Sequence, residues 1–348
     1  MYHYNTSSKV EAYFQQLDPT FADNLQRCKI NVLTTQNYIV LGQLTALRFL
    51  EWVCLNPEGV VALPTGKTPE FFIKWIQHYL DHWEHEVEHG LLKEIGINYP
   101  KPNFKGLHFF QLDEFFPINP EHERSFRYFV KKYYIDVMGF DPEKTHLINT
   151  YFLNEQEKEM LGGAHNLNEV FLDGKIDLSL RIRQPQNKDE EMRKRAIKLF
   201  DEFCMRYEQK IRDLGGIGFF LGGIGPDGHI AFNVKGSSHF SHTRLTGLNY
   251  ESQAAAAGDL GGIELVRKKA VLTMGLETIT YNPDCVAVII AAGQAKAEVV
   301  AGSLLQDRTQ AFPATVLQQL PSARFFITSS AAFLLPKSTD YLAQQYPQ

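Results

Sequence analysis

Seven short apolar runs, each followed by a turn signal and then a helical pattern, constrain this chain more than any other feature. They fall at 30–33, 60–63, 107–112, 217–221, 270–274, 286–291 and 325–328. Strands that face solvent on one side alternate apolar and polar residues; these runs do not, so both of their faces must be covered. Helices between successive strands supply that cover. The pattern predicts a three-layer α/β/α sandwich around a mostly parallel, Rossmann-like sheet, with ligands held beyond the carboxyl ends of the strands. An apolar content of 44% in 348 residues is enough for a substantial core of this kind.

Two segments stand outside the rhythm. Residues 1–28 precede the first run and read as an N-terminal extension, a helix plus linker, ahead of a single α/β domain over 29–348. Residues from about 150 to 190 are mixed and polar, and read as an insertion of the kind that forms a lid, an interface or an excursion.

The 35 basic and 40 acidic side chains leave a formal charge of −5, which argues against nucleic acid or an anionic membrane as partner. The N-terminus lacks the basic and apolar pattern of a signal peptide, and no apolar run approaches the length of a membrane helix. Cys28, Cys54, Cys204 and Cys285 are far apart, without zinc-ligand spacing. Together these features predict a cytoplasmic protein with reduced thiols. Its oligomeric state is open, homo-oligomer included.

His78, His82, His85 and His89 share one helical face, a spacing that could clamp a transition metal. A helical wheel sets Trp75, Ile76, Tyr79, Leu80, Trp83 and Val87 well away from them. The histidines therefore belong to a surface flank, and no metal site is assigned.

Four motifs fall at strand ends. In Leu63-Pro64-Thr65-Gly66-Lys67-Thr68-Pro69, a glycine turn, two hydroxyls and a helix N-terminus suit an anion. The tail imitates a Walker A loop, but the first glycine of that pattern would fall on Val61, inside the strand. In Gln111-Leu112-Asp113-Glu114-Phe115, adjacent carboxylates end an apolar strand, where each costs stability unless used or paired. Such a pair also suits a Walker B element. The run from Gly222 to Asn233 has four glycines in its first seven residues. It places Asp227 beside His229, so that the carboxylate sets the imidazole tautomer and raises its basicity. In Gly293-Gln294-Ala295-Lys296, a lysine in the first turn of a helix opposes the macrodipole, a conflict an anionic ligand would remove.

These motifs, with Ser237–Arg244 (SSHFSHTR), LTMGLETI and ATVLQQL, occur in the order and spacing of the glucosamine-6-phosphate deaminase (isomerase) family. The chain resembles that family, and the related 6-phosphogluconolactonases, from about residue 29 to 335. The resemblance implies conversion of glucosamine 6-phosphate to fructose 6-phosphate and ammonia, with no metal and no cofactor, so that a small sugar phosphate is the expected partner. It implies Asp113 as the proton-shuttling carboxylate, His229 as the ring-opening acid/base and Asp227 as its orienting partner. It places the phosphate on Thr65, Gly66, Lys67, Thr68 and Lys296, and suggests a regulatory role for Ser237 and Arg244.

Three departures accompany it. Val234 stands where the family has a glutamate that assists the histidine. Gly258 stands near the place of a phosphate-binding arginine. Lys67 replaces a usual glycine. Thr246 replaces the lysine that accompanies the serine and arginine in the regulated members the chain resembles. The alternatives are a 6-phosphogluconolactonase-like hydrolase, a weakened sugar-phosphate-binding protein and, in a different class, a P-loop ATPase.

Overall fold

The computed structural model describes residues 2–17, 27–151, 153–171 and 176–336. The linker expected at 18–26, and positions 152 and 172–175 of the expected insertion, lie outside the described residues.

Seven strands form a parallel sheet in the order β1 (Asn31–Thr35), β10 (Arg324–Thr328), β9 (Val286–Ala291), β6 (Phe219–Gly223), β2 (Val60–Ala62), β3 (His108–Phe110) and β5 (Thr145–His146). The unalternating apolar runs are explained by two cores, one on each face. In β9, Ala287, Ile289 and Ala291 enter one core while Val286, Val288 and Ile290 enter the other. In β10, Phe325 and Ile327 go one way and Phe326 the other. A single face of water would have forced alternation.

Helix α1 (Lys9–Leu17), α2 (Tyr38–Leu55), α3 (Glu70–His82) and α4 (Glu86–Ile95) cover one face. Asn37 caps α2, accepting from the amides of Ile39 and Val40 at 3.0 Å each. By length and hydropathy α2 could cross a bilayer, but 67% of it is buried in this core. Gly42 permits the close approach of α2 to α3, since a Cβ there would lie 2.5 Å from that of Phe71. Helix α5 (Lys188–Asp213) packs on the opposite face through Ala196, Ile197, Phe200 and Ile211.

The run at 107–112 does not continue as one strand. Gln111 makes the last ladder bond, its backbone N–H donating to the His146 carbonyl at 3.1 Å. Its buried side chain turns the chain, donating from its amide to the carbonyl of Asp113 at 2.8 Å and accepting from the Ile148 amide at 2.9 Å. The chain then starts β4 (Asp113–Phe116) in a separate, antiparallel sheet of order β4, β8 (Ala270–Thr273), β7 (Arg244–Thr246). Thus the 270–274 run, expected in the parallel sheet, is the middle strand of this side sheet. Its two faces are also covered, with Val271 on the small core of Phe115, Phe126 and Leu260, and Ala270 and Leu272 on the main one. An unalternating run reports burial on both sides and says nothing of strand direction.

The histidine stripe does not lie on a single helix. Helix α3 stops at His82 and α4 begins after His85, whose backbone is extended. Ile76, Tyr79, Leu80 and Trp83 are buried as expected, but Val87, assigned to the same face, is 79% exposed because the break resets the phase. His78 Nε2 sits 2.9 Å from the Glu88 carboxylate.

Around 150–190, Leu153, Leu161, Leu167, Phe171 and Leu180 anchor short helical pieces on the main core beside α5. Among the described residues of this segment, none lines the cavity described next.

Candidate active site

Beyond the carboxyl ends of the adjacent strands β9, β6, β2 and β3 lies a cavity of about 290 Å³. Thr65, Gly66, Lys67, Thr68, Asp113, His229 and Lys296 all line it, so the structure brings four separate sequence motifs to one place. Asp227 stands behind His229. Ser237 and Arg244 are not among its lining residues.

Adjacent carboxylates have opposite fates. Glu114 is 1% exposed and fully engaged: Oε2 accepts from Ser125 Oγ at 2.6 Å and the Arg127 amide at 2.7 Å, and Oε1 from the amides of Phe115 and Phe126 at 3.0 Å each. It caps the helix Phe126–Val130, and is thus not available to hold magnesium or water as a Walker B acid would. Asp113, 4% exposed, leaves a buried Oδ1 without a hydrogen-bond partner. Burial, with the charge of Glu114 added, pushes its carboxyl well above the usual range. A carboxyl whose charged form is left uncompensated in a cavity wall is a stronger base than an ordinary carboxylate, which suits proton transfer.

The glycine-rich loop after β6 folds around His229. The Gly225 amide donates to the His229 carbonyl at 2.8 Å. The imidazole lies directly over Gly225, where an added Cβ would come within 2.0–2.3 Å of ring atoms. Glycine at this position is therefore required by the ring. Past the histidine, Ala231 holds φ at 49°, a left-handed conformation that a residue with a side chain rarely adopts. Phe232 lies nearly parallel to the imidazole at 6.0 Å between centroids.

His229 Nδ1 hydrogen-bonds Asp227 Oδ1. The other oxygen of Asp227 accepts from the Lys235 amide at 3.0 Å and Asn249 Nδ2 at 2.7 Å. Burial alone would raise this carboxyl; the bonds from His229, Lys235 and Asn249 outweigh it and hold Asp227 well below the usual range. With Nδ1 committed to a carboxylate, the neutral imidazole carries its proton there and leaves Nε2 as the base.

The cations differ in setting. Lys296 is partly buried, donates from Nζ to the Ile224 carbonyl at 2.7 Å, and has its pKa lowered by desolvation against the pull of Asp227. Lys67 is exposed on the loop after β2. That loop turns at Gly66, φ 78°. Gly258 lines the cavity from helix α6 (Tyr250–Leu260) and brings no charge, as the sequence implied.

Ser237 and Arg244 form a pair under the loop. Arg244 donates to Asn233 Oδ1 at 2.8 Å and lies 3.4 Å from Ser237 Oγ, while Asn233 Nδ2 holds the carbonyls of Ile230 and Met274. In this structure the arginine braces the end of the histidine loop.

Sequence reasoning missed Asn249, Ser252 and Asn233. Asn249 carries a helix N-cap signal, an asparagine before a helical run. Nothing local indicates that its amide faces Asp227.

Solved structures share the architecture. A monomeric glucosamine-6-phosphate deaminase superposes with a TM-score of 0.63 at 24% identity, over 88% of this chain and 100% of its own. The 6-phosphogluconolactonase of Trypanosoma cruzi superposes at 0.55 with 16% identity, over 88% and 97%. The fold is therefore that of the deaminase and lactonase group. In sequence, the chain is 28% identical to the glucosamine-6-phosphate deaminase of Clostridium perfringens (strain SM101 / Type A) over 306 residues, 88% of this chain and 100% of that one. No protein-family model matches the chain. It resembles the glucosamine-6-phosphate deaminases over most of its length.

Proposed function

We propose that this protein converts glucosamine 6-phosphate to fructose 6-phosphate and ammonia. The observation that carries the reading is one cavity holding a buried, unpartnered carboxylate, Asp113, together with the Asp227–His229 couple and two lysines. In this mechanism His229 Nε2 takes the proton of the C1 hydroxyl and returns it to the ring oxygen, opening the pyranose. Asp113 removes the C2 proton and delivers it to C1, while the C1 carbonyl oxygen gains the proton that the C2 ammonium loses, leaving C1 a hydroxymethyl and C2 an iminium. Water adds to that iminium and ammonia leaves. Thr65, Gly66, Thr68 and Lys296 hold the phosphate, with Lys67 supplying the charge that Gly258 does not. Lactone hydrolysis needs a base for water but no group that moves a proton between adjacent carbons, and Asp113 favours the isomerising reaction. The proposed setting is amino-sugar catabolism in the reducing cytoplasm, in keeping with four free thiols.

The test is ammonia release from glucosamine 6-phosphate, run beside hydrolysis of 6-phosphogluconolactone. Ammonia with no lactonase activity is expected; lactone hydrolysis alone would replace this reading with the hydrolase.

A further inference from the structure

We infer that Asn249 and Ser252, at the start of helix α6, are positioning residues for His229 and do the work expected of a second carboxylate at the position of Val234. The inference rests on the ring-opening reading above.

Asn249 has two jobs on two ends of one amide. Its Oδ1 accepts from the Ser252 amide at 2.9 Å and so caps α6, while Nδ2 donates to Asp227 Oδ2 at 2.7 Å. Ser252, fully buried, places Oγ 3.2 Å from His229 Nδ1. The imidazole Nδ1 therefore faces two oxygens, Asp227 Oδ1 and Ser252 Oγ. Asp227, an acceptor only, favours a proton on Nδ1 and works against the tautomer in which Nε2 is blocked, while Ser252 Oγ helps to fix the ring position. Asp227 is in turn held at its second oxygen by Asn249 and the Lys235 amide, so it cannot rotate away from the ring.

A carboxylate in the role of Val234 would have oriented the histidine at the cost of a second negative charge in the cavity wall. An amide and a hydroxyl orient it with none. The arrangement also ties His229 to α6, whose Ala255, Ala256 and Gly258 form one wall of the same cavity. The charged groups around the imidazole are Asp227 on its own loop, Lys296 after β9, Lys67 after β2 and Asp113 on β4. Glu251, on α6, is exposed.

The deciding variant is Asn249→Ser. Serine caps helices as well as asparagine does, so α6 is kept, but it is too short to reach Asp227. Expected are an unchanged melting temperature and a fall in kcat of about 10–100-fold with little change in KM. The acid limb of the kcat/KM profile should also move. The last follows because Asp227, losing one of the two anchors of its second oxygen, no longer holds the imidazole in a single orientation. A purely structural cap, which serine replaces, would leave kcat, the limb and the tautomer all as in wild type. Ser252→Ala, which does not touch the cap, should reduce kcat severalfold and is the second reading if Asn249→Ser fails to fold.

Histidine-selective ¹⁵N NMR, with His229 assigned by loss of its signals in His229→Gln, follows the tautomer without any substrate. Wild type should show Nδ1–H, and Asn249→Ser a mixture. If wild type releases no ammonia but the tautomer responds, the functional reading fails and the positioning stands. An unchanged tautomer and unchanged limb in both variants overturn the inference.

Discussion

Asp113 and Glu114 are neighbours of the same chemical type, and their difference lies in the donors around them. Four hydrogen bonds at 3.0 Å or less compensate Glu114, which serves the fold; Asp113 Oδ1 has none and serves the cavity. Replacing Asp113 with Asn should abolish exchange of solvent deuterium into substrate carbon, a loss of 10²–10⁴-fold typical of a missing base. Undiminished exchange would remove Asp113 from that role. The same variant should be more stable than wild type at alkaline pH. Burial raises the folded pKa of Asp113 above its unfolded value. Its favourable contribution is therefore complete below the ordinary carboxylate range and is lost as pH rises through the raised value. Asparagine does not ionise, so urea unfolding at pH 8 should show a gain of about 1 kcal/mol that disappears near pH 4. At Gly225, alanine would drive a Cβ into the His229 ring, and kcat should fall at least about a hundredfold. Retention of wild-type kcat would mean that the ring is free to move. The motif order made these residues legible as a set and the resemblance pointed to Asp113, but residue type alone gave no physical reason to prefer it over Glu114 until the partners of each were known.

At the scale of elements, α1 is joined to the sheet by buried charge. Arg48, 1% exposed, meets Glu11 at 2.8 Å, and Glu11 also binds Arg324 of β10 at 2.6 Å. Glu51 accepts from Ser8 Oγ and the Lys9 amide at 2.6 Å each. Removing one partner of such a network leaves a buried charge uncompensated, which costs more than the pair itself contributes. Glu11→Ala should therefore destabilise the protein by about 3 kcal/mol in denaturant titration, although Glu11 is far in sequence from every motif. A loss below about 1 kcal/mol would show that α1 only rests on the core. Elements were legible where apolar period reports burial. The reading failed at the 270–274 run and at the break between α3 and α4, where pairing direction and helix termination depend on distant contacts.

For the whole molecule, an acidic chain that binds a dianion must concentrate its cations locally. Lys67 and Lys296 stand at the carboxyl ends of β2 and β9, where partial positive charge from helix N-termini adds to theirs. Lys67→Ala should raise KM for a 6-phosphorylated sugar roughly tenfold or more, equivalent to about 1.5–3 kcal/mol for a charged hydrogen bond. Unaltered affinity would assign Lys67 to solvent. Fructose 6-phosphate should also stabilise the whole fold, by about 2.7 kcal/mol at a hundred times its Kd, visible as a rise in melting temperature. Lys67→Ala should shrink that rise at equal ligand concentration.

By itself the sequence determined a parallel sheet buried on both faces and the motifs at its strand ends, because burial and backbone turning are local properties of residue type. It also determined what was missing, a glutamate at Val234 and an arginine near Gly258. Only the tertiary structure decided that β4, β7 and β8 leave the main sheet, that Glu114 is consumed as a cap, and that Asn249 and Ser252 reach His229. Those outcomes depend on hydrogen bonds between residues 11 to 23 apart in the chain or on strands far from one another. No local pattern encodes which donor a buried oxygen will meet.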